Sequence, residues 1–300
     1  DRFFNDPAMP VRAVVVADVA SIVAAKGEGA LTFVRDLPRR NTDKLMFHGV
    51  KFFADDSFLS YGMQVGNPGY VDGRSGIWIT PPQRMLGDFL PWWKAGFQIH
   101  VHSNGNLANE AVISALAGLQ AAQPRLDHRF TIEHYGLSTA ENARSLAALG
   151  GQVSANPYYI YSRAELNAPF IGTDRADGAV ALKTLIDAGV PVSMHTDTPV
   201  GPPKPLEEVW IAVNRFGQSG KVHGPDERVS VDQALRMITI EAARTLGVDD
   251  RLGSIAAGKF ADFTVLEADP RDVPPEMIRD VKVWGTIVGG EVHPVSEIRR

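Results

Sequence analysis

Two hydrophobic rhythms take turns along this chain. Val11–Val16 (Val-Arg-Ala-Val-Val-Val) is a short apolar run of strand type, and Asp18–Lys26 has the Ala, Val and Ile content of a short helix with Asp18 as its N-cap. Met46–Ala54, Phe97–His102, Arg129–His134, Gly151–Ala155 and Pro191–His195 are further strand-like runs. Helical stretches stand at Pro81–Ala95, Asn106–Gln120, Ser138–Leu149, Gly178–Ala188, Pro205–Phe216 and Ser230–Leu246. Ser138 with Glu141 three residues on reads as a capping box, and Gly189 as a C-cap. Asp55–Thr80 and Asn156–Asp177 break the rhythm and read as long loops.

Strand and helix in alternation predict a parallel α/β fold, either a barrel or a doubly wound sheet. The Gly-rich fingerprints of dinucleotide and P-loop folds are absent, which favours the barrel. After Leu246 the pattern changes to short β-rich runs, Lys259–Leu266 and Val281–Val288, around a Pro-rich turn region. The expected division is a barrel over 1–250 and a small β-structure over 251–300.

Composition narrows the function. The chain has 300 residues, 44% hydrophobic and 22% charged, which excludes disorder and coiled coil. Its net charge of −5 and lack of any basic block argue against nucleic acid as a partner. No apolar run is long enough to span a membrane. With no cysteine, thiolate zinc sites, Fe–S clusters and cysteine nucleophiles are excluded. Any metal must be held by His, carboxylates or a modified side chain.

In a barrel the active-site groups sit at the C-terminal strand ends. The polar residues there are Lys51 or Asp55, His100 and His102, His134, and His195 with Asp197. Each has a plainer reading: Lys51 as an edge-strand lysine, one of His100 and His102 as a core histidine, Asp197 as a turn aspartate. Taken in order, however, lysine, histidine, histidine and aspartate are chemically coherent. A lysine carbamate, imidazoles and a carboxylate suit Zn²⁺ or a similar divalent ion. His48, His128, His223 and His293 lie off the strand ends and read as structural or surface groups. The aromatic residues of the two loops (Phe58, Tyr61, Tyr70 and Trp78; Tyr158, Tyr159, Tyr161 and Phe170) either line an apolar pocket or pack as a lid. Arg163 and Arg175 are either carboxylate binders or solvent-facing.

These motifs resemble the amidohydrolase superfamily of metal-dependent hydrolases, in the branch containing N-substituted formamide deformylases. The resemblance rests on Val50-Lys51-Phe52-Phe53-Ala54-Asp55-Asp56-Ser57, His102-Ser103-Asn104-Gly105-Asn106, Arg129-Phe130-Thr131-Ile132-Glu133-His134 and His195-Thr196-Asp197-Thr198-Pro199, in that order. The tail segments Gly253–Pro270 and Val283–Val292 extend it. It implies a TIM-like (β/α)₈ barrel, present here from its third strand to its eighth, with the tail contributing to a small β-sandwich. It implies Lys51 as a carboxylated lysine bridging two metals, His102 and His134 as ligands of the second metal, and Asp197 as ligand of the first and general base. One or two divalent ions, zinc by expectation, would activate a hydroxide that cleaves a C–N bond of an amide, formamide or cyclic amide.

Asp56 and Asn106 depart from the family's glycine and aspartate, and His195 stands where a small residue is usual. His195 is therefore expected to contact a small-molecule substrate, with Tyr158 and Arg163 as further substrate contacts. The chain begins Asp1-Arg2-Phe3-Phe4, and the family's first-strand His-x-His pair is not in it. The expectation is a C-terminal portion, completed by an N-terminal segment or companion chain carrying that pair. A cytoplasmic location and self-association are open expectations. The rival reading is an inactive amidohydrolase-like fragment that acts as a binding protein.

Overall fold

Residues 4, 6 and 9–295 are described in a computed structural model. The apolar runs become β1 (Ala13–Asp18), β2 (Leu45–Phe53), β3 (Ile99–Ser103), β4 (Thr131–His134), β5 (Gln152–Ala155) and β6 (Val192–Met194). All pair in parallel and in sequential order. A doubly wound sheet reverses its strand order partway. A sequential parallel sheet is instead the arc of a barrel, so the α/β, TIM-like expectation holds in the form of a half-barrel.

Side-chain alternation along the strands divides the sheet into two unlike faces. Val50, Phe52, Ile99, Val101, Ile132, Val153 and Val192 share one buried core with Phe89, Trp93, Val112 and Leu116. Those partners come from α3 (Pro82–Lys94) and α4 (Asn106–Ala122). The alternate residues Lys51, Gln98, His100, Thr131, Glu133, Gln152, Ser154 and Ser193 form a polar concave face. Their register is continuous: Lys51 opposes His100, which opposes Thr131, which opposes Gln152. Thr131 Oγ1 accepts from Gln98 Nε2 at 3.2 Å and Gln152 Nε2 at 2.9 Å, whereas His100 Nε2 and Gln152 Oε1 are buried on this face without a partner.

The remaining helices are α1 (Val19–Lys26), α2 (Ala30–Asp36), α5 (Ala140–Ala148), α6 (Ala164–Ile171), α7 (Thr173–Asp177), α8 (Leu182–Asp187), α9 (Pro205–Asn214), α10 (Val231–Met237) and α11 (Ile240–Thr245). Asp18 caps α1, accepting from Ala20 N at 3.1 Å. Several expectations need correction. The capping box of α5 uses Thr139 and Asn142, not Ser138 and Glu141, because only that pair exchanges both side-chain bonds. The stretch 230–246 is two helices broken at Thr239, whose backbone is at φ −122° and ψ −97°. The stretch 156–177 is helical for most of its length, as a π-helical turn at Tyr159–Arg163 followed by α6 and α7.

The tail forms a three-stranded antiparallel sheet of β7 (Phe263–Leu266), β8 (Val283–Val288) and β9 (Glu291–Pro294). Arg12 ties it to the start of the barrel. Its Nε and Nη2 donate to the two oxygens of Asp262 at 2.6 and 2.9 Å, and its plane lies 4.0 Å over Phe260. The planar guanidinium serves both contacts at once. Among the described residues no helix is long and apolar enough to cross a membrane.

Candidate active site

The site lies at the C-terminal ends of β2 to β6, where the polar face meets the two loops. His102 ends the inward series of β3. His134, by strict alternation, belongs on the outer face beside Ile132. Its backbone is left-handed (φ +76°), which breaks the alternation and turns the ring inward. Asp197 is also left-handed (φ +53°). Such positions cost on the order of 1–3 kcal/mol each and cluster at functional sites.

Three imidazoles therefore converge. The ring centroids of His102 and His134 are 4.4 Å apart, edge to face, and those of His134 and His195 are 4.9 Å apart. His134 Nδ1 lies 3.0 Å from His195 Nε2, and His195 Nδ1 lies 2.9 Å from Ser154 Oγ. His102 Nε2 takes the Asn104 amide at 2.9 Å. Burial pulls all three histidines down; Lys51 adds to this while the Glu133 carboxylate opposes it, and His102 falls to about 4. All three are neutral at pH 7, with lone pairs available.

Lys51 pairs with Glu133, whose other oxygen lies 2.8 Å from His100 Nδ1. Burial pushes the Glu133 carboxyl up, but the Lys51 ammonium and His100 together hold it well below its usual range. As a free amine, then, Lys51 is neutralised by a carboxylate that strand alternation alone could have flagged. Asp197 is exposed on the turn after β6, and its charge acts on His195 and Tyr159. Among the described residues no three His, Cys, Asp or Glu side chains stand in metal-holding geometry. The donor chemistry still suits a divalent ion. His102 and His134 are each held through one nitrogen, which leaves the other free, and metal-binding imidazoles are oriented in this way.

The three residues expected to contact substrate stand in different surroundings. His195 is turned onto His134. Tyr158 is buried against the 201–202 turn, its hydroxyl 3.4 Å from Pro202 O. Tyr159 takes the place beside the imidazoles, 6.1 Å from the His134 ring and stacked on Phe58 at 4.5 Å. Arg163 leaves the same helical turn. Tyr61 and Phe170 pack at 4.5 Å, so these loop aromatics join the two loops as a lid.

Asp55 fastens that lid. It is fully buried, and its carboxylate accepts from Gln64 N at 2.8 Å and from Asn104 N and Gly105 N, each at 2.9 Å. Burial pushes it up to about 7 against the pull of these bonds. A Cβ on Gly105 would lie 1.9 Å from Gln64 O, so only glycine lets the loop seat here. Asn106 adds its Oδ1 to Gly66 N at 3.0 Å, which gives this departure from the family pattern a structural role. Asp55→Asn replaces one acceptor oxygen by a donor facing an N–H. We expect about 1–3 kcal/mol lost, read in urea unfolding, with faster proteolysis between residues 55 and 80. Unchanged cleavage and stability would refute the fastening role.

The fold and the site together define a parallel α/β half-barrel with a histidine cluster at its strand ends. Residues 7–293 match the amidohydrolase family, and the chain belongs to it. The chain is 33% identical over 198 residues to the N-substituted formamide deformylase of Arthrobacter pascens, covering 66% of this chain and 36% of that protein. It is 30% identical to Protein LONG AFTER FAR-RED 3 of Arabidopsis thaliana, covering 82% and 43%. These matches span less than half the length of either relative. An uncharacterized metal-dependent hydrolase from Pyrococcus horikoshii OT3 superposes with a TM-score of 0.71 at 20% identity, over 88% of this chain and 58% of that one. That likeness concerns the fold.

Proposed function

We propose that this chain carries the catalytic half of a hydrolase that cleaves the C–N bond of amides or N-substituted formamides. The observation that supports it most is the convergence of His102, His134 and His195, all neutral, on the polar face at the strand ends. His102 and His134 would hold a divalent ion, zinc in this reading, with Lys51 as carbamate and Asp197 completing a site for one or two ions. Such an ion would supply Lewis acidity towards the scissile carbonyl and would lower the pKa of water.

The chain's own groups do the rest. Asp197 accepts the proton of the attacking water on its carboxylate and returns it to the departing amine nitrogen. Glu133 and His100 position Lys51. The joined lid excludes bulk water. The free edges at β1 and β6 would receive strands bearing a His-x-His pair, from an N-terminal segment or companion chain, and the tail sheet would form one layer of a β-sandwich.

The test is formate release from N-benzylformamide by natively purified protein, with metal content measured alongside. We expect at least one divalent ion per site, and turnover that is lost to dipicolinate and restored by Zn²⁺. Metal-replete protein that releases no formate, and no amine from N-acetylbenzylamine, would overturn the reading in favour of an inactive binding relative.

A further inference from the structure

We propose that His223 is a proton-operated latch on the lid: charged, it holds α6 and α7 together against the turn 216–222, and losing a proton releases α6. The latch does not depend on which reaction the site performs. α6 is the part of the lid that joins the two loops over the strand ends. Its Phe170 packs on Tyr61, and Phe170 O accepts from Val71 N at 2.8 Å. The turn that follows α9 fastens α6 from the other side. Phe216 and Val222 pair across that turn, Gly217 N donates to Lys221 O at 2.7 Å, and Gln218 N donates to Tyr161 O at 2.9 Å. The turn thereby reaches the π-helical segment that carries Tyr159.

His223 is buried at the foot of this turn, between two carboxylates. Its Nδ1 lies 2.7 Å from Oδ1 of Asp177, the last residue of α7, and its Nε2 lies 3.3 Å from Oε1 of Glu165, in the first turn of α6. A neutral imidazole has one N–H and one lone pair, so only the charged ring donates to both. Gly217 lets the turn press on the pair, since a Cβ there would lie 2.6 Å from His223 Nε2. The other charged groups here are Lys221, which donates to both Asp177 oxygens at 2.9 and 3.1 Å, and Arg215, whose Nε donates to His223 O at 2.5 Å. Hydrogen bonds from Ser219 and then His223 hold the Glu165 carboxyl below its usual range. Burial pushes Asp177 up, but Lys221 and His223 together hold it below its usual range as well. Both carboxylates thus stay charged at neutral pH, where imidazole is the side chain that ordinarily changes charge.

With the ring charged, both bonds are made. When one proton leaves, the shorter bond to Asp177 keeps its hydrogen. Nε2 then turns a lone pair on Glu165, which is left with Ser219 alone. Attraction at the first turn of α6 becomes repulsion, and the cover over the strand ends loosens. The sign follows: this contribution is present at acid pH and is lost as pH rises through the imidazole range. On the acid side it persists until the two carboxylates protonate, below their usual range.

The experiment is hydrogen exchange read by mass spectrometry on the full chain at about pH 5.5 and about pH 8.5, which bracket the ordinary imidazole range, with intrinsic exchange rates divided out. We expect protection over Ala164–Ile171 to fall at least about tenfold at the alkaline end, the worth of one charge-assisted bond, while Ile99–Ser103 is unchanged. His223→Gln keeps a single donor and should be weakly protected at both pH values. Glu165→Gln, at an exposed position on α6, should also remove the pH dependence while Thr173–Asp177 stays protected. Nitrogen-15 spectra of histidine-labelled protein read the ring itself, with both nitrogens of His223 protonated at the acid end and one at the alkaline end. Near-UV circular dichroism checks folding; if His223→Gln does not fold, Glu165→Gln and the ring spectra decide. Equal protection of Ala164–Ile171 at the two pH values, a pH dependence that survives in Glu165→Gln, or a ring whose charge is the same at both ends would overturn the latch.

Discussion

Removing the His134 imidazole is expected to weaken zinc binding by well over the 100-fold or so that outer partners of a metal site are worth, whereas His195→Ala is expected to cost about 10–100-fold. Competition with a chromophoric chelator reads both. The difference follows from geometry. His134 is brought inward by its left-handed backbone and keeps one ring nitrogen free of hydrogen bonds. His195 has both nitrogens engaged, one by Ser154 and one by His134, so it acts by fixing the tautomer and tilt of its neighbour. Ser154→Ala should fall on the same side as His195→Ala but more weakly, because the His195 to His134 contact remains. If His195 instead touched substrate, as its position two residues before Asp197 suggests, its removal would leave metal affinity unchanged and raise KM. The two roles thus give opposite patterns in a single pair of measurements.

The barrel architecture was legible because its signal is local. Apolar strands bounded by turn residues, with helices between them, leave few alternatives, and the order of the motifs set which strand ends carry the candidate residues. Lys51 and His102, chosen as polar residues near strand ends, both stand on the polar face. What parity could not give was His134, since its inward turn depends on a backbone conformation that breaks the alternation. The Lys51 to Glu133 pair is readable from the same alternation, since Glu133 lies two residues from Thr131 on the inner face. The stretch 156–177 failed for a different reason. Asn156-Pro157 and Pro169 are turn-type residues, and Pro169 sits inside α6 because surrounding contacts hold that helix in place. Helices this short are marginal alone and take their stability from packing. The long apparent helix 230–246 erred in the opposite direction, since an unbroken helical rhythm says nothing about a kink at Thr239.

Those surrounding contacts lead to the other large effect. Arg215→Met is expected to cost about 3–5 kcal/mol of unfolding free energy, from several buried carbonyls that lose their donor, with part of the loss offset by relaxation. Urea denaturation measures it. Arg215 is fully buried. Its Nε donates to His223 O at 2.5 Å, Nη1 to Val180 O at 3.0 Å, and Nη2 to Asp177 O and Ala179 O at 3.0 and 2.8 Å. Burial pulls its pKa down to about 10, which still leaves it charged at neutral pH. Methionine fills the space but strands the carbonyls of Asp177, Ala179 and His223 and leaves Val180 O with Leu182 N alone, and each buried orphan costs about 1–3 kcal/mol before relaxation or water offsets it. Lysine should rescue little. Its compact ammonium cannot replace a planar fork that reaches carbonyls on two sides. The damage should also spread to the site. Arg215 joins the end of α9 to the segment after α7, and Val180 N in turn donates to Gly136 O, two residues beyond His134. Loss of Arg215 should therefore free α6 and α7 first, visible as faster amide exchange at 164–177 while the central strands stay protected. If that exchange is unchanged and the unfolding midpoint stays in place, the freed carbonyls have found other donors and Arg215 is not what holds these helices over the strand ends.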